Sequence, residues 1–148
     1  MLGSADDAAH DFSCSIASAN GVGVVAERPT YFDYKGWDGG HDAVGATAAA
    51  ATFYFAEGTC RSDFDPYFCI QNPGGIPAEV TLTYMKGDGT TASDQVFVPA
   101  SSRVTVLPRA KLGTGDDSAH DFATRVACTN GRQIVVERSM YFCVPASH

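Results

Sequence analysis

Apolar and polar residues alternate along most of the chain. Between residues 78 and 85, Val80, Leu82 and Tyr84 lie on one side of a period-two pattern and threonines on the other. This is typical of a half-buried β-strand. Gly87-Asp88-Gly89 follows directly and supplies the positive φ angles of a hairpin turn. The pattern therefore predicts a strand that turns back into a partner strand.

Further alternating or aromatic-rich runs have the length of strands, and no segment shows a sustained helical period. Ala100-Ser101 predicts a short corner, and Asn130-Gly131 predicts a hairpin turn between the last two runs. Seven short strands separated by turns predict an all-β fold, an immunoglobulin-like antiparallel β-sandwich. The remaining six runs span residues 52–57, 66–71, 94–99, 102–107, 122–129 and 133–142.

A segment near the end of the chain is duplicated near its start. Residues 2–32 align with residues 112–142 without a gap, and about half of the positions are identical. The offset of about 110 residues is that of one domain-sized repeat. Asn20-Gly21 matches Asn130-Gly131, so the copy predicts an extra N-terminal β-hairpin over residues 12–32.

Two units follow from this duplication. Residues 1–47 are predicted to form a partial repeat, namely the hairpin and a connector, and residues 48–148 the β-sandwich repeat. A lone hairpin is marginal in water because it cannot bury an apolar face. It can add strands to a neighbouring subunit or replace the equivalent strands there, or it can fold back as a cover. The residues predicted for assembly are Phe12, Cys14, Ile16, Val22, Val24, Ala26, Arg28, Tyr31 and Phe32.

The charge pattern excludes some partners. The net charge is −7, the isoelectric point is near 4.8, and Lys and Arg form no cluster, which argues against nucleic acid. No apolar run approaches the roughly 20 residues that a membrane helix needs. Motifs for a catalytic nucleophile and for a zinc protease are absent from the sequence, which favours a protein that is not an enzyme.

Five cysteines are many for 148 residues. With few charges, they favour an oxidising, extracellular setting, although small buried thiols are the alternative. Among several possible connectivities, Cys69 and Cys128 could meet across the sandwich as in immunoglobulin domains, with Cys60 and Cys143 as the second bridge. The fifth cysteine, Cys14, could then lock a contact between subunits.

Two acidic clusters are candidate metal sites. Carboxylates alone would suit Ca²⁺, and the added histidines a transition metal. The alternative is a polar loop in which Asp side chains cap backbone N–H groups. No other cofactor is indicated. The candidate ligands are Asp6, Asp7 and His10 in the first cluster, and Asp116, Asp117 and His120 in the second.

Two further groups of residues admit both a binding and a structural interpretation. Trp37 and Tyr34, in the Gly-rich connector, could stack on a glycan, or they could belong to the core. Glu137 lies in a strand that otherwise reads as core, and Arg103 is a candidate ion-pair partner for it. A structural ion pair is favoured there over a catalytic carboxylate.

The motifs FAEG, IQNP, TYMKGDG, PASSR and ERSMYF follow one another in this order, and GGHDAVGA lies before FAEG, after the first ERPTYF. In this order the chain resembles a tandem β-sandwich repeat of large secreted or cell-surface proteins of bacteria and archaea. The resemblance implies an extracellular or cell-surface location and no catalytic residue set. We therefore expect a non-catalytic structural module, a self-assembling filament or surface-array subunit. The alternative is a carbohydrate-binding or adhesive module of a larger surface protein.

Overall fold

The structure, a computed structural model, describes residues 9–143. Over this range the chain forms nine strands, a one-turn α-helix and a short 3₁₀ helix at Ser118–His120. The strands are β1 (Glu27–Tyr34), β2 (Trp37–Val44), β3 (Thr52–Phe55), β4 (Phe64–Asn72), β5 (Ala78–Lys86), β6 (Thr91–Val98), β7 (Ser102–Val106), β8 (Phe122–Cys128) and β9 (Val135–Phe142), and the helix is α1 (Pro108–Leu112). None of the helices in this part of the chain is long and apolar enough to cross a membrane.

Strands β3–β9 form two antiparallel sheets that pack face to face. One sheet has the order β3-β8-β5-β6 and the other the order β7-β4-β9. This arrangement confirms the predicted all-β fold with a seven-strand sandwich. The short helix α1 has no counterpart in the prediction, but Pro108 opens it and Gly113 follows it, as is common for helix ends.

The core lies between the two sheets and follows the period-two pattern. On β5, Val80, Leu82 and Tyr84 are 2%, 0% and 0% exposed. On β4, Phe68 and Ile70 face them and are fully buried. Because neighbouring residues of a strand point to opposite faces, the residues between these ones form the outer faces of the sheets.

Two of the predicted turns lie where the chain passes from one sheet to the other. The predicted corner at Ala100-Ser101 joins β6 to β7, and Ser101 has a φ of 50°. Asn130-Gly131 also forms a turn, with Gly131 at a φ of 75°, but the predicted hairpin there is wrong. Strands β8 and β9 lie in different sheets, because β8 is hydrogen bonded between β3 and β5 while β9 pairs with β4. The dipeptide specifies the turn and not the strand pairing.

The predicted N-terminal hairpin over residues 12–32 is likewise wrong in its bounds. Asn20-Gly21 makes a turn, with Gly21 at a φ of 76°, but no strand flanks it. The hairpin lies further along the chain and consists of β1 and β2. Its two-residue turn is Lys35-Gly36, with φ angles of 53° and 78°, as a type I′ turn requires. The predicted connector therefore contains β2.

The β1–β2 hairpin forms a third layer on the outer face of the three-stranded sheet. Phe32 and Tyr34 of β1 contact Tyr141 of β9, with ring centroids 4.6 and 4.8 Å apart. A hairpin that is marginal alone thus gains an apolar partner within its own chain. The boundary predicted between residues 47 and 48 falls in the link between β2 and β3.

Candidate functional site

The N-terminal segment, defined here as residues 9–26, carries an apolar surface that lies open to solvent. Phe12, Ile16 and Val24 are 61%, 65% and 62% exposed. Cys14 is also exposed, and Ala26 is half-buried. In a soluble protein, several neighbouring exposed apolar side chains mark a surface for interaction.

The same positions are buried in the second copy. Phe122, Val126 and Ile134, which align with the three exposed residues, are 4%, 0% and 0% exposed. Burial differs because β8 lies between two strands and under the opposite sheet, whereas the N-terminal segment belongs to no sheet. One apolar pattern is therefore buried at one end of the chain and uncovered at the other.

Within the N-terminal segment, the backbone of residues 11–25 takes no part in a strand ladder. Within residues 9–143, no backbone-to-backbone hydrogen bond involves residues 11–25, and the first one is donated by Gly45 to Ala26. At the turn, the side chain of Asn20 accepts a hydrogen bond from the Val22 N–H. Extended chain of this kind can join the edge of a sheet, because its N–H and C=O groups already face solvent.

The N-terminal segment runs over the outer face of the three-stranded sheet. The Asp11 carboxylate lies 2.8 Å from the Arg103 guanidinium of β7. Between the segment, the hairpin and the sheet is a cleft of about 290 Å³. Its lining includes Phe12, Cys14 and Ile16 of the segment together with Cys69, Glu137 and Tyr141 of the sheet.

Asp65 anchors the hairpin turn to the sheet. Its side chain is 3% exposed and accepts hydrogen bonds from Tyr34 Oη at 2.7 Å and Lys35 Nζ at 2.8 Å. Arg109 Nε lies 3.4 Å from the other carboxylate oxygen. Burial acts to raise the pKa of Asp65, but the bonds from Lys35 and Tyr34 and the charge of Arg109 hold it below its usual range.

Three tyrosines surround this anchor. The Tyr34 and Tyr67 hydroxyls are 2.6 Å apart and share a hydrogen bond, and the Tyr141 ring packs against both tyrosines. Burial raises the pKa of each of the three phenols, so all three stay protonated near neutral pH. Tyr34 and Tyr67 donate hydrogen bonds to Asp65, at 2.7 and 3.5 Å, and Tyr141 contributes its ring to the packing.

The two residues predicted to bind a glycan belong to this same contact. Tyr34 uses both its ring and its hydroxyl in packing against the sheet. Trp37 is half-buried, and its ring meets that of Tyr34 edge-on at 6.1 Å. Glycan binding stays a prediction, and the most exposed aromatic side chains of the described residues lie elsewhere, at Tyr31 (86%) and Tyr54 (72%).

Arg28 and Phe32, two other predicted assembly residues, also bind within the chain. Arg28 Nη2 lies 2.9 Å from Glu137 Oε2, so Glu137 pairs with the hairpin. The predicted partner, Arg103, pairs instead with Asp11 and donates a hydrogen bond to Thr105 Oγ1. Arg28, whose side chain is 51% exposed, and Phe32 thus join the hairpin to the sandwich. The other exposed residues of the predicted set are Phe12, Cys14, Ile16, Val22, Val24 and Tyr31.

None of the predicted disulfides is formed, because all five cysteines, which fall within residues 9–143, are free thiols. Cys69 points away from the four-stranded sheet, on the outer face with Arg103, and so does not face Cys128. Cys60 is fully buried, and burial raises the pKa of its thiol to about 11. The alternative of buried thiols fits Cys60, and Cys143 is half-buried.

The second predicted metal cluster is held by protein groups. Asp116 accepts hydrogen bonds from the Ser62 N–H and hydroxyl, and Asp117 from the Ala119 N–H and His120 Nδ1. These bonds lower the pKa of both carboxyls. Among the described residues, no group of three or more His, Cys, Asp or Glu side chains is placed to hold a metal ion, and metal binding at this cluster stays a prediction. Of the first cluster, Asp6 and Asp7 lie outside the described residues, so that site also stays a prediction.

Asp65 and Lys35 are the residues that sequence reasoning missed. Lys35-Gly36 between two short polar runs is a weak hairpin signal. The hairpin was therefore predicted at the stronger dipeptide, Asn20-Gly21. An aspartate inside the aromatic strand FDPYFCIQ was the available clue to a buried ion pair, since buried carboxylates need partners.

Comparison with known proteins gives information on the fold. The chain matches no protein-family model and no curated protein sequence. Among solved structures, it is similar to the Anabaena sensory rhodopsin transducer, with a TM-score of 0.51 and 20% sequence identity. The match covers 64% of this chain and 100% of that one. At this identity, the likeness shows a shared β-sandwich fold alone.

Proposed function

We propose that this protein is a non-catalytic structural module, located outside the cell or on its surface, that assembles with copies of itself into a filament or surface array. The observation that carries the proposal is the unequal burial of the two copies. Phe12, Ile16 and Val24 are 61–65% exposed, whereas their equivalents at the C-terminal end are at most 4% exposed. The order of sequence motifs, which resembles a surface-protein repeat, supports the extracellular setting.

The apolar surface left open is large enough to drive association. Each exposed Phe, Ile or Val side chain gains roughly 1.5–3 kcal/mol when it is buried. The solvated backbone of residues 11–25 adds hydrogen-bonding groups that a strand edge can satisfy. Together these features favour strand addition between subunits over a passive, monomeric module.

The test compares two double variants with the wild type by sedimentation velocity and negative-stain electron microscopy at high concentration. F12S/I16S removes the copied apolar face. V25S/V44S is the matched control, because these side chains are 81% and 66% exposed but lie outside the set of residues predicted for assembly. We expect fibres or regular arrays from the wild type and the control, and single particles from F12S/I16S. A wild type that remains small and monodisperse, or equal loss in both variants, contradicts the proposal.

A further inference from the structure

The two copies of the repeated segment cannot drive assembly by simple exchange. If residues 12–26 of one chain replaced the equivalent strands of another, the displaced copy would expose Phe122, Val126 and Ile134 instead. The apolar area removed from water would then be about the same before and after the exchange. A net gain requires that the N-terminal segment add to an edge that is free.

The edge strands of the two sheets are β3 and β6 in one sheet and β7 and β9 in the other. Natural edges are protected by short length, charge or cover. Strand β3 has four residues, β6 carries the Asp94–Lys111 ion pair, and the Arg138 side chain of β9 donates to the Glu57 carbonyl. The only charged residue of β7 is Arg103, whose charge is already balanced by Asp11. Strand β7 has five residues, one more than β3, and its single charge is balanced, so its edge is open to an added strand.

The two sides of β7 match the two sides of residues 12–16. On the inner side, half-buried Val104 lines a cleft with Val96 of β6 and Leu107, which is 41% exposed. On the outer side lie Arg103 and Thr105. A strand with apolar residues at every second position and small polar residues between them would complete both sides.

The N-terminal segment has this alternation. Phe12, Cys14 and Ile16 alternate with Ser13 and Ser15. An added strand that directs these serines outward, beside Arg103 and Thr105, directs its apolar side chains toward Val96 and Val104.

Within one chain, the segment does not occupy this edge. Its apolar residues line the cleft on the outer face of the sheet, and an open groove separates residues 11–15 from β7. Consecutive residues Ser102–Thr105 line that groove, so it follows the strand edge and not one face of the sheet. We infer that the free edge of β7 accepts residues 12–16 of a second copy of this chain as an added strand.

This inference rests on the proposed function and specifies its geometry. The donor segment and the acceptor edge are different surfaces of the molecule, so each subunit offers one of each. A contact of this type is heterologous and repeats without closing unless the rotation between subunits closes a ring. The expected product is therefore an open filament of sandwiches joined head to tail.

Hydrogen exchange of the wild-type protein identifies the acceptor. Amides that enter a strand ladder gain protection, so we expect residues 12–16 and β7 to become protected together at high concentration and not at low concentration. Protection of β3, β6 or β9 with β7 unchanged would overturn the inference and leave the proposed function standing. Failure of the wild type to assemble at any concentration would overturn both.

Two edge variants give a second measurement. T105K adds a charge to β7, and Q95K makes a matched addition to the exposed edge strand β6. A lysine on the accepting edge opposes pairing, so we expect T105K to raise the concentration for half-assembly about tenfold and Q95K to leave it unchanged. An equal effect of both variants would show that net charge, and not the β7 edge, controls assembly.

Discussion

Replacing Asp65 with Asn should release the β1–β2 hairpin from the sandwich. The substitution keeps the shape of the side chain but removes the charge that faces Lys35 at 2.8 Å and Arg109 at 3.4 Å. Because an isolated hairpin is marginal in water, its release and its unfolding should be a single event. The core, with Leu82 and Phe68 fully buried, should keep its stability.

The magnitude follows from the contacts. A hydrogen bond to a charged group contributes about 1.5–3 kcal/mol, and breaking a fully buried ion pair costs about 3–5 kcal/mol. The Lys35 side chain is 56% exposed, so solvent screens its part of the loss. We expect D65N to weaken hairpin docking by about 2–3 kcal/mol, which is a factor of roughly 30–150 in the docking equilibrium.

Amide exchange of β2 and the fluorescence of Trp37, the single tryptophan, report on the hairpin directly. The matched control is D63N, an equal change at an exposed aspartate two residues away. We expect faster exchange in β2 and a shifted Trp37 emission in D65N alone, with β5 exchange unchanged in both variants. If the two variants behave alike, the ion pair does not hold the hairpin, and the reasoning fails.

The same carboxyl predicts a pH dependence. Its pKa is lowered in the folded state, so its contribution is complete above the ordinary aspartate value near 4 and is lost as the pH falls through the lower folded value. Hairpin docking in the wild type should therefore weaken below about pH 4. The difference between wild type and D65N isolates this group, because other acidic pairs titrate in both proteins. A difference that does not shrink with acid would contradict the assignment.

Three further substitutions test the fold. T124V removes a buried hydroxyl that has no hydrogen-bond partner, so we expect the free energy of unfolding, measured in urea, to rise by about 1 kcal/mol. A fall in this free energy would mean that the hydroxyl has a hydrogen-bond partner. G36A should lower hairpin stability by about 1–2 kcal/mol, because Gly36 has a φ of 78° that a residue with a Cβ adopts only under strain. Trp37 fluorescence measures this change, and G75A, where a Cβ would lie in open space, is the control that should be neutral. Equal effects of the two variants would exclude backbone strain as the cause. N72A removes three hydrogen bonds to the Ile76, Val98 and Pro99 carbonyls, so we expect the thermal midpoint to fall by the amount that corresponds to about 2 kcal/mol. A smaller fall would show that water replaces these hydrogen bonds.

The sequence was a good guide to the strands and a poor guide to their partners. The alternation at Val80, Leu82 and Tyr84 predicted which side chains are buried, because one period-two pattern determines both the strand and its inner face. Asn20-Gly21 and Asn130-Gly131 predicted turns at the right places. Neither turn closes a hairpin, since pairing depends on which strands are present on each side.

The candidate site shows the same division. Duplication alone pointed to the N-terminal residues; Phe12 and Ile16 are exposed, and their role in assembly stays a prediction. The contact of Asp65 with the Lys35 turn lies outside what local patterns can predict, because it joins residues about 30 positions apart through the packing of a third layer. The face on which Cys69 lies was also not predicted, since that depends on the register of β4.

The position of β8 has a consequence for the order of events during synthesis. Strand β8 is central, between β3 and β5, yet it is made near the end of the chain. When β3 to β7 have left the ribosome, the N-terminal copy of this strand has already been made, and at roughly 5–20 residues per second the second copy follows some seconds later. For that interval, we expect residues 12–18 to substitute for the missing strand. The early copy would shield the open sandwich until Phe122–Cys128 displaces it.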